Sequence, residues 1–437
     1  MKPIQSPVLS SLIILALCAG IGPVSAQVTF TTGTNDVGHT PVCIAALDVN
    51  GDGKVDLLSA NYSDNTLTVL TNNGSGGFGS NTTLNLDRQA DWVVAADANG
   101  DGKLDLVSAN YFFNTLTVLT NNGSGGFGSN ATLNVGSGPD WVVAADVNSD
   151  RETDLISVNY TVTTLTVLTN NGNGGFGFNA TYFVGNAPVC LVAADVNGDG
   201  NPDLISANYS VNTLRVLTNN GSGGFGSNAT LNVGINPNCV AAADVNGDGK
   251  PDLISANFGA NTLTVLTNNG SGAFGSNATL NVGVDPNYVA AADVNGDGSL
   301  DLISANFHGN TLTVLTNNGG GSFGSNTTLN VGSGPNMVAA VDVNGDGKPD
   351  LISANRTGNT LTVLLNTTPF PPLLLNIVAA GKQITLYWPA SATNYGLQTT
   401  TNLSASGWAP VTNGTIIAGG VTVTNSSPAA FFRLKAQ

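Results

Sequence analysis

Seven stretches of this 437-residue chain place oxygen-bearing side chains at alternate positions of a nine-residue loop, in the pattern Asp-x-Asn-x-Asp-x-x-x-Asp. Side chains at positions 1, 3 and 5 of a tight loop turn inward together. A backbone carbonyl at position 7 and a carboxylate at position 9 can complete the set. That is the donor inventory of a hard cation taking six to eight oxygens, and Ca²⁺ suits it better than Mg²⁺, which demands near-octahedral geometry and keeps its waters. Zinc and copper favour nitrogen or sulfur, which the loops lack. Asx-type turns held by their own side chains would explain one such loop. Seven loops, each with three unneutralised aspartates, point instead to a metal.

The expected ligands are Asp48, Asn50, Asp52, Lys54 and Asp56 in the first loop, and Asp97, Asn99, Asp101, Lys103 and Asp105 in the second. The third has Asp146, Asn148, Asp150, Glu152 and Asp154, and the fourth Asp195, Asn197, Asp199, Asn201 and Asp203. Asp244, Asn246, Asp248, Lys250 and Asp252 form the fifth set, and Asp293, Asn295, Asp297, Ser299 and Asp301 the sixth. The seventh is Asp342, Asn344, Asp346, Lys348 and Asp350. Lysine at position 7 is expected to act through its carbonyl alone. Glycine at position 6 permits the positive φ of the turn. Arg151 replaces it in the third loop, which is therefore expected to be the weakest of up to seven Ca²⁺ sites.

The first aspartates recur every 49 residues, the mark of a repeat architecture whose units are buried by their neighbours. In the fifth unit, Cys239 to Ala243 leads into the loop and Leu253 to Ala256 leaves it. Thr262 to Thr267 alternates with the period of a strand, and Ala278 to Val282 follows an Asn/Gly-rich turn. Four short strands per unit make one antiparallel sheet, and seven sheets make a β-propeller. The last unit stops at Asn366 without its fourth strand, while Val28 to Val37 stands in fourth-strand register before the first loop. The N-terminal segment is expected to close the ring. The fold expected is all-β: a seven-bladed β-propeller over 27–366, a Pro-rich linker over 367–372 and a small β-sandwich-like domain over 373–437.

These units resemble FG-GAP repeats, also described as VCBS repeats, the family of the integrin α propeller and of many secreted bacterial proteins. The resemblance rests on Phe78-Gly79, Phe127-Gly128 and their equivalents, and on loops such as Asp244 to Asp252. It covers about 28–366. The family's Gly-Ala-Pro tract is replaced by Ser-Ala-Asn, as at Ser255-Ala256-Asn257. The resemblance implies an extracellular binding or adhesion module. A propeller of a secreted polysaccharide-degrading lyase or hydrolase is the alternative.

The formal charge is −16, but twenty-one of the 28 acidic residues are the aspartates at positions 1, 5 and 9 of the loops, and seven Ca²⁺ would leave −2. A basic partner is not implied, and 12 scattered Lys and Arg make no nucleic-acid stripe. Residues 1–26 read as a signal peptide: Lys2, an apolar run from Val8 to Cys18, and Val24-Ser25-Ala26 before Gln27. No later run approaches the roughly 20 apolar residues of a membrane span. A secreted or surface-attached, monomeric protein is expected. Cys43, Cys190 and Cys239 share one repeat position with Trp92, Trp141, Tyr288 and Met337, and are expected to be free, buried thiols too far apart to bridge.

Variation between units gathers before the first strand and between the second and third. Both connections emerge on the face opposite the loops. Asp91, Trp92, Asp140, Trp141 and Tyr288 are the candidate ligand residues there, with Tyr62, Tyr111, Tyr160, Tyr209, Phe258, Phe307 and Arg356 around them. Rings beside carboxylates and amides suit a carbohydrate or an extended peptide, though such rings also serve simply to plug a propeller. The only histidines, His39 and His308, belong to different units with no nucleophile between them, so no catalytic site is expected.

Overall fold

A computed structural model describes residues 28–369 except Asp87, and, beyond them, the backbone of seven strands between 376 and 436. Residues 1–27, with the signal-peptide reading, and linker positions 370–372 lie outside the described residues.

Seven four-stranded antiparallel sheets form the propeller. Blade 1 consists of Pro41–Leu47, Asp56–Asn61, Thr66–Asn72 and Phe78–Asn85, from the axis outward. Blades 2 to 6 repeat this order, and the innermost strands meet their neighbours all round, Pro41–Leu47 touching Pro335–Val341 of blade 7. The closing strand is where the missing fourth strand places it. Phe30–Asp36 pairs antiparallel with Thr360–Asn366, from Phe30 opposite Asn366 to Asp36 opposite Thr360.

Burial follows the distance from solvent. The second strands, such as Asp252–Asn257, are buried at every position because a blade covers each face. They consequently read as near-continuous Leu, Ile and Ala rather than as an alternation. Third strands bury Leu263, Val265 and Leu266 between blades. Outer strands are wet: no position of Phe176–Phe183 is fully buried.

Two details depart from the sequence reading. The fourth strand starts at Phe274, not Ala278, because Phe274 pairs with Asn268 and a bulge between Val265 and Leu266 absorbs the offset. The Phe-Gly pair thus belongs to a strand. The loops between second and third strands include three short 3₁₀ turns, Tyr111–Phe113, Tyr209–Val211 and Phe258–Ala260, each ended by a left-handed asparagine.

The C-terminal residues contain a four-stranded antiparallel sheet of Asn376–Ala380, Gln383–Tyr387, Gly420–Thr424 and Thr415–Ile417. Tyr395–Thr400, Ala409–Pro410 and Phe431–Ala436 form a three-stranded one.

Candidate functional site

In the first loop the Asp48 carboxylate is the hub. Its Oδ1 accepts the backbone N–H of Gly51 at 2.7 Å and its Oδ2 that of Gly53 at 2.7 Å. Asn50 Oδ1 accepts from Asp52 N–H, and Asp52 Oδ1 from Lys54 N–H. This frame bends the chain so that Gly51 and Gly53 have φ of 77° and 80°. The third loop keeps much of the frame: Arg151 N–H donates to Asp146 Oδ2 at 2.8 Å. Ser149 and Arg151 are thereby held at φ of 64° and 74°, where side-chain-bearing residues are strained. Two strained residues stand there, not only the arginine.

The position-9 aspartate differs from the others. Asp56 is fully buried, with Oδ1 accepting from Asn72 N–H at 2.7 Å and Oδ2 from Val49 N–H at 3.2 Å. Burial pushes its carboxyl up, the two N–H groups oppose this, and the Asp52 and Asp48 carboxylates push it up further. The same causes act at Asp105, Asp154, Asp203, Asp252 and Asp350, and lift Asp301 to about 7. The three carboxylates of a loop therefore act on one another across a shared space.

Among the described residues no three Asp, Glu, His or Cys side chains are drawn into one closed cage. The loop donors are nonetheless all oxygen. Asp48 Oδ1 takes three backbone N–H groups, but Asp48 Oδ2, Asn50 Oδ1 and Asp52 Oδ1 accept one each and keep a second lone pair, so the set fits a hard, oxygen-seeking cation. The position-7 lysine is not a bystander, however. Lys54 Nζ lies 3.2 Å from Asp52 Oδ2, and Lys103 Nζ 3.1 Å from Asp101 Oδ2. Both pairs are exposed, where such contacts are worth little and yield to a stronger cation.

A second set of residues, not singled out in the sequence, ties the loops to the ring. The asparagine ending each third strand reaches back to the preceding blade. Asn268 Nδ2 donates to Val196 O of the blade 4 loop at 2.8 Å and to Pro251 O of its own loop at 3.0 Å. Its Oδ1 accepts Gly270 N–H, and its own N–H donates to Asp252 Oδ1. Asn72, Asn121, Asn170, Asn219, Asn317 and Asn366 do the same, and Asn72 to Val343 O spans the closure between blades 1 and 7. Each buried carboxylate at position 9 thus holds the strand end that clasps the loop of the preceding blade. The sequence signal is the Thr-Asn-Asn-Gly of the first six units, which reads as a turn alone.

On the opposite face, the inner strand of every blade but blade 2 begins with a β-bulge. Pro237 faces Asn257 and Cys239 faces Ala256, so Asn238 is the extra residue. Val42, Asp140, Val189, Asn287 and Asn336 occupy the same bulge, and Asp91 precedes the equivalent strand of blade 2. A bulge re-aims its residue. All seven residues line one cavity of about 240 Å³ at the mouth of the central channel, with Tyr62 and Arg356. A shallow hollow of about 290 Å³, lined by Tyr160, Tyr209, Phe258, Phe307 and Arg356, adjoins it through Val189, Asn238 and Asn287.

The five candidate ligand residues are brought together here. Trp92 and Trp141 stack with centroids 3.3 Å apart, and Tyr288 stacks about them at 6.1 and 6.2 Å. These three rings floor the vestibule and separate it from an aliphatic cavity of about 650 Å³ below, lined by Val143, Val192, Ala241 and Ala290 among others. Asp91 Oδ2 accepts Tyr111 N–H at 3.2 Å. Burial lifts the Asp91 carboxyl to about 7, reinforced by Asp140 and opposed by Tyr111 N–H and Arg356. Burial likewise lifts Asp140 to about 6 against the pull of Arg356.

The three thiols are free and buried, with Cys43 pushed up to about 12 by burial. Cys190 and Cys239 are closer than equivalent positions of adjacent blades were expected to be. Inner strands converge on the axis, and the Cys239 thiol contributes to raising Cys190. His39 and His308 each pair with an aspartate, Asp64 and Asp285, at the exposed rim.

The FG-GAP-like repeat pattern matches six overlapping stretches, 48–108, 97–157, 146–206, 195–255, 244–304 and 293–353. No curated protein matches the chain in sequence. Among solved structures, BBS1N, crystallised in complex with ARL6DN, aligns with a TM-score of 0.58 at 12% identity, over 79% of this chain and 99% of that one. A candidate 6-phosphogluconolactonase of Bacteroides uniformis aligns at 0.51 and 12%, over 92% and 99%. A Lactobacillus plantarum protein aligns at 0.51 and 16%, over 67% and 86%. At these identities the likeness is one of fold. The repeat matches together span most of the propeller and more than half of the chain, which belongs to the FG-GAP-like repeat family.

Proposed function

We propose that the chain is an exported, calcium-stabilised propeller that binds an extracellular glycan or protein on the face opposite its loops. The observation that carries the reading is the vestibule. The entry residue of every inner strand, a position that varies between repeats, lines one cavity with an aromatic surround. Variation gathers on that face, while the loops, the third apart, and the clasps largely repeat on the other. A fold selected only for its own stability has no need of that division.

The proposed role of Ca²⁺ is structural. Bound among positions 1, 3, 5, 7 and 9, the ion supplies positive charge to three mutually repelling carboxylates, the most buried of which holds the clasp asparagine. Extracellular modules work at about 10⁻⁴–10⁻³ M affinity. Saturating Ca²⁺ should therefore raise the melting temperature and EDTA lower it; an unchanged melting temperature refutes the structural role. The binding role is tested on a glycan and matrix-protein array with and without Ca²⁺. Binding lost in Tyr160→Ala and Phe258→Ala supports it, and a blank array refutes it.

A further inference from the structure

The chemistry lining the vestibule is unevenly distributed between donors and acceptors. On the blade 5 to blade 7 side, the asparagine amides are spent on one another. Asn238 Nδ2 donates to Asn287 Oδ1 at 2.9 Å, Asn287 Nδ2 to Asn336 O at 2.9 Å, and Asn336 Nδ2 to Val42 O at 2.7 Å. This ladder turns each of the three amide nitrogens toward the neighbouring blade and engages at least one N–H of each. On the blade 2 and blade 3 side stand two carboxylates. Asp140 has no hydrogen-bond or ion-pair partner among the described residues, although protein surrounds it and its remaining surface lines the cavity. Asp91 spends one oxygen on a single N–H.

The one cation at the mouth, Arg356, forms no ion pair within 4 Å with either carboxylate among the described residues. It instead lies 6.0 Å from the Tyr62 ring centroid. Acceptors thus outnumber free donors, and the lining is aromatic: Trp92 and Trp141, stacked on each other, beneath, and Tyr62 beside. Two carboxylates brought together with a spare acceptor surface and aromatic walls form a receptor for a cation that carries hydrogen-bond donors.

We propose that the vestibule takes an organic ammonium group, the protonated amine of an amino sugar or of a lysine side chain, seated between Asp91 and Asp140 on the Trp92–Trp141 floor. This rests on the reading of this face as the binding face and narrows its ligand class. The charge of such a group replaces the interaction that Arg356 supplies only at a distance. The carboxyls, both lifted by burial and Asp91 further by Asp140, release protons as the cation enters. The groups facing them are Arg356, Tyr62 and Tyr111.

The test uses the mature full chain with Ca²⁺ present and follows tryptophan fluorescence and calorimetric titration. The probes are a fully deacetylated glucosamine tetramer and Nα-acetyl-lysine amide, each beside its N-acetylated neutral counterpart. Binding of either amine at least about tenfold tighter than its counterpart is expected, because a charge-assisted hydrogen bond is worth that much. The tetramer and the lysine derivative distinguish a glycan from a peptide source. Asp91→Asn and Asp140→Asn, near-isosteric and checked for unchanged melting at pH 5, should each lose that preference. Arg356→Gln should bind the amine as well or better. Equal binding of the acetylated tetramer overturns the ammonium assignment while leaving a binding face in place. Weaker amine binding in Arg356→Gln overturns it too, since it would mean that an anionic group is recognised. No binding of any probe overturns the assignment, and a simultaneous blank array removes the binding face with it.

Discussion

The third loop offers a direct measure of what the repeat's glycines are for. Ser149 and Arg151 sit at φ of 64° and 74°, where the equivalent residues of the fifth loop, Gly247 and Gly249, have 78° and 82°. A β-carbon built at Gly249 meets nothing within 4 Å, so the penalty at this position is backbone conformation alone. A left-handed residue costs about 1–2 kcal/mol, offset by the roughly 0.5–1 kcal/mol that glycine loses in unfolded-chain entropy. The net is about 1 kcal/mol per site. Ser149→Gly with Arg151→Gly should stabilise by about 2 kcal/mol, or roughly 3 °C in Tm for a domain of this size. Gly249→Arg should cost about 1 kcal/mol. Because the strain is set by the Asp146 hydrogen-bond frame and not by an ion, the double variant should keep its gain in EDTA. Differential scanning calorimetry of both variants, with and without chelator, is the assay. Shifts of the same sign in the two variants, or a gain abolished by EDTA, would refute the reasoning.

Asn268→Ala removes two donors from buried carbonyls and an acceptor from Gly270 N–H. It should cost about 3 kcal/mol or more, whereas Asn269→Ala in the exposed turn should cost under about 1 kcal/mol; equal losses in chemical denaturation would deny the clasp its role. Deleting residues 28–37 strips seven paired residues from Thr360–Asn366. A loss of about 5 kcal/mol, at about 1 kcal/mol per backbone hydrogen bond, and self-association through the bared edge should follow; a monodisperse, equally stable product by light scattering and melting would contradict ring closure. Burial and Asp140 raise the Asp91 carboxyl to about 7, above its unfolded value, so the contribution of this group to stability is greatest at low pH and is lost as pH rises toward 7. Asp91→Asn should therefore raise Tm at pH 8 by the equivalent of about 1–2 kcal/mol after allowing for partial exposure, and change it little at pH 5. Equal shifts at both pH values would show that the charge is not what destabilises.

The architecture was legible because its determinants are local and repeated. Spacing, turn residues and a missing last strand specify a ring of seven and its closure at Phe30–Asp36. What escaped depends on neighbours. Asn72 and its equivalents look like turn formers until the preceding blade is beside them. The bulge that aims Asn238 inward is visible only as a skipped pairing. Cys190 and Cys239 seemed distant because the convergence of strands at an axis has no sequence signature. The five ligand candidates were found through variation, yet the division of Trp92, Trp141 and Tyr288 into a floor, with Asp91 and Asp140 above it, came from packing.

The closing blade joins the two ends of the propeller one strand out of step with the 49-residue period. A tandem duplication or deletion of one whole period, wherever its breakpoints fall, therefore leaves both ends intact and still complementary. The join places no limit on copy number. The count of seven must be kept by the curvature at which inner strands meet and by the reach of each clasp asparagine. Unequal recombination among the near-identical repeats would thus yield chains that can still latch, and these would fail or survive on the geometry of the hub.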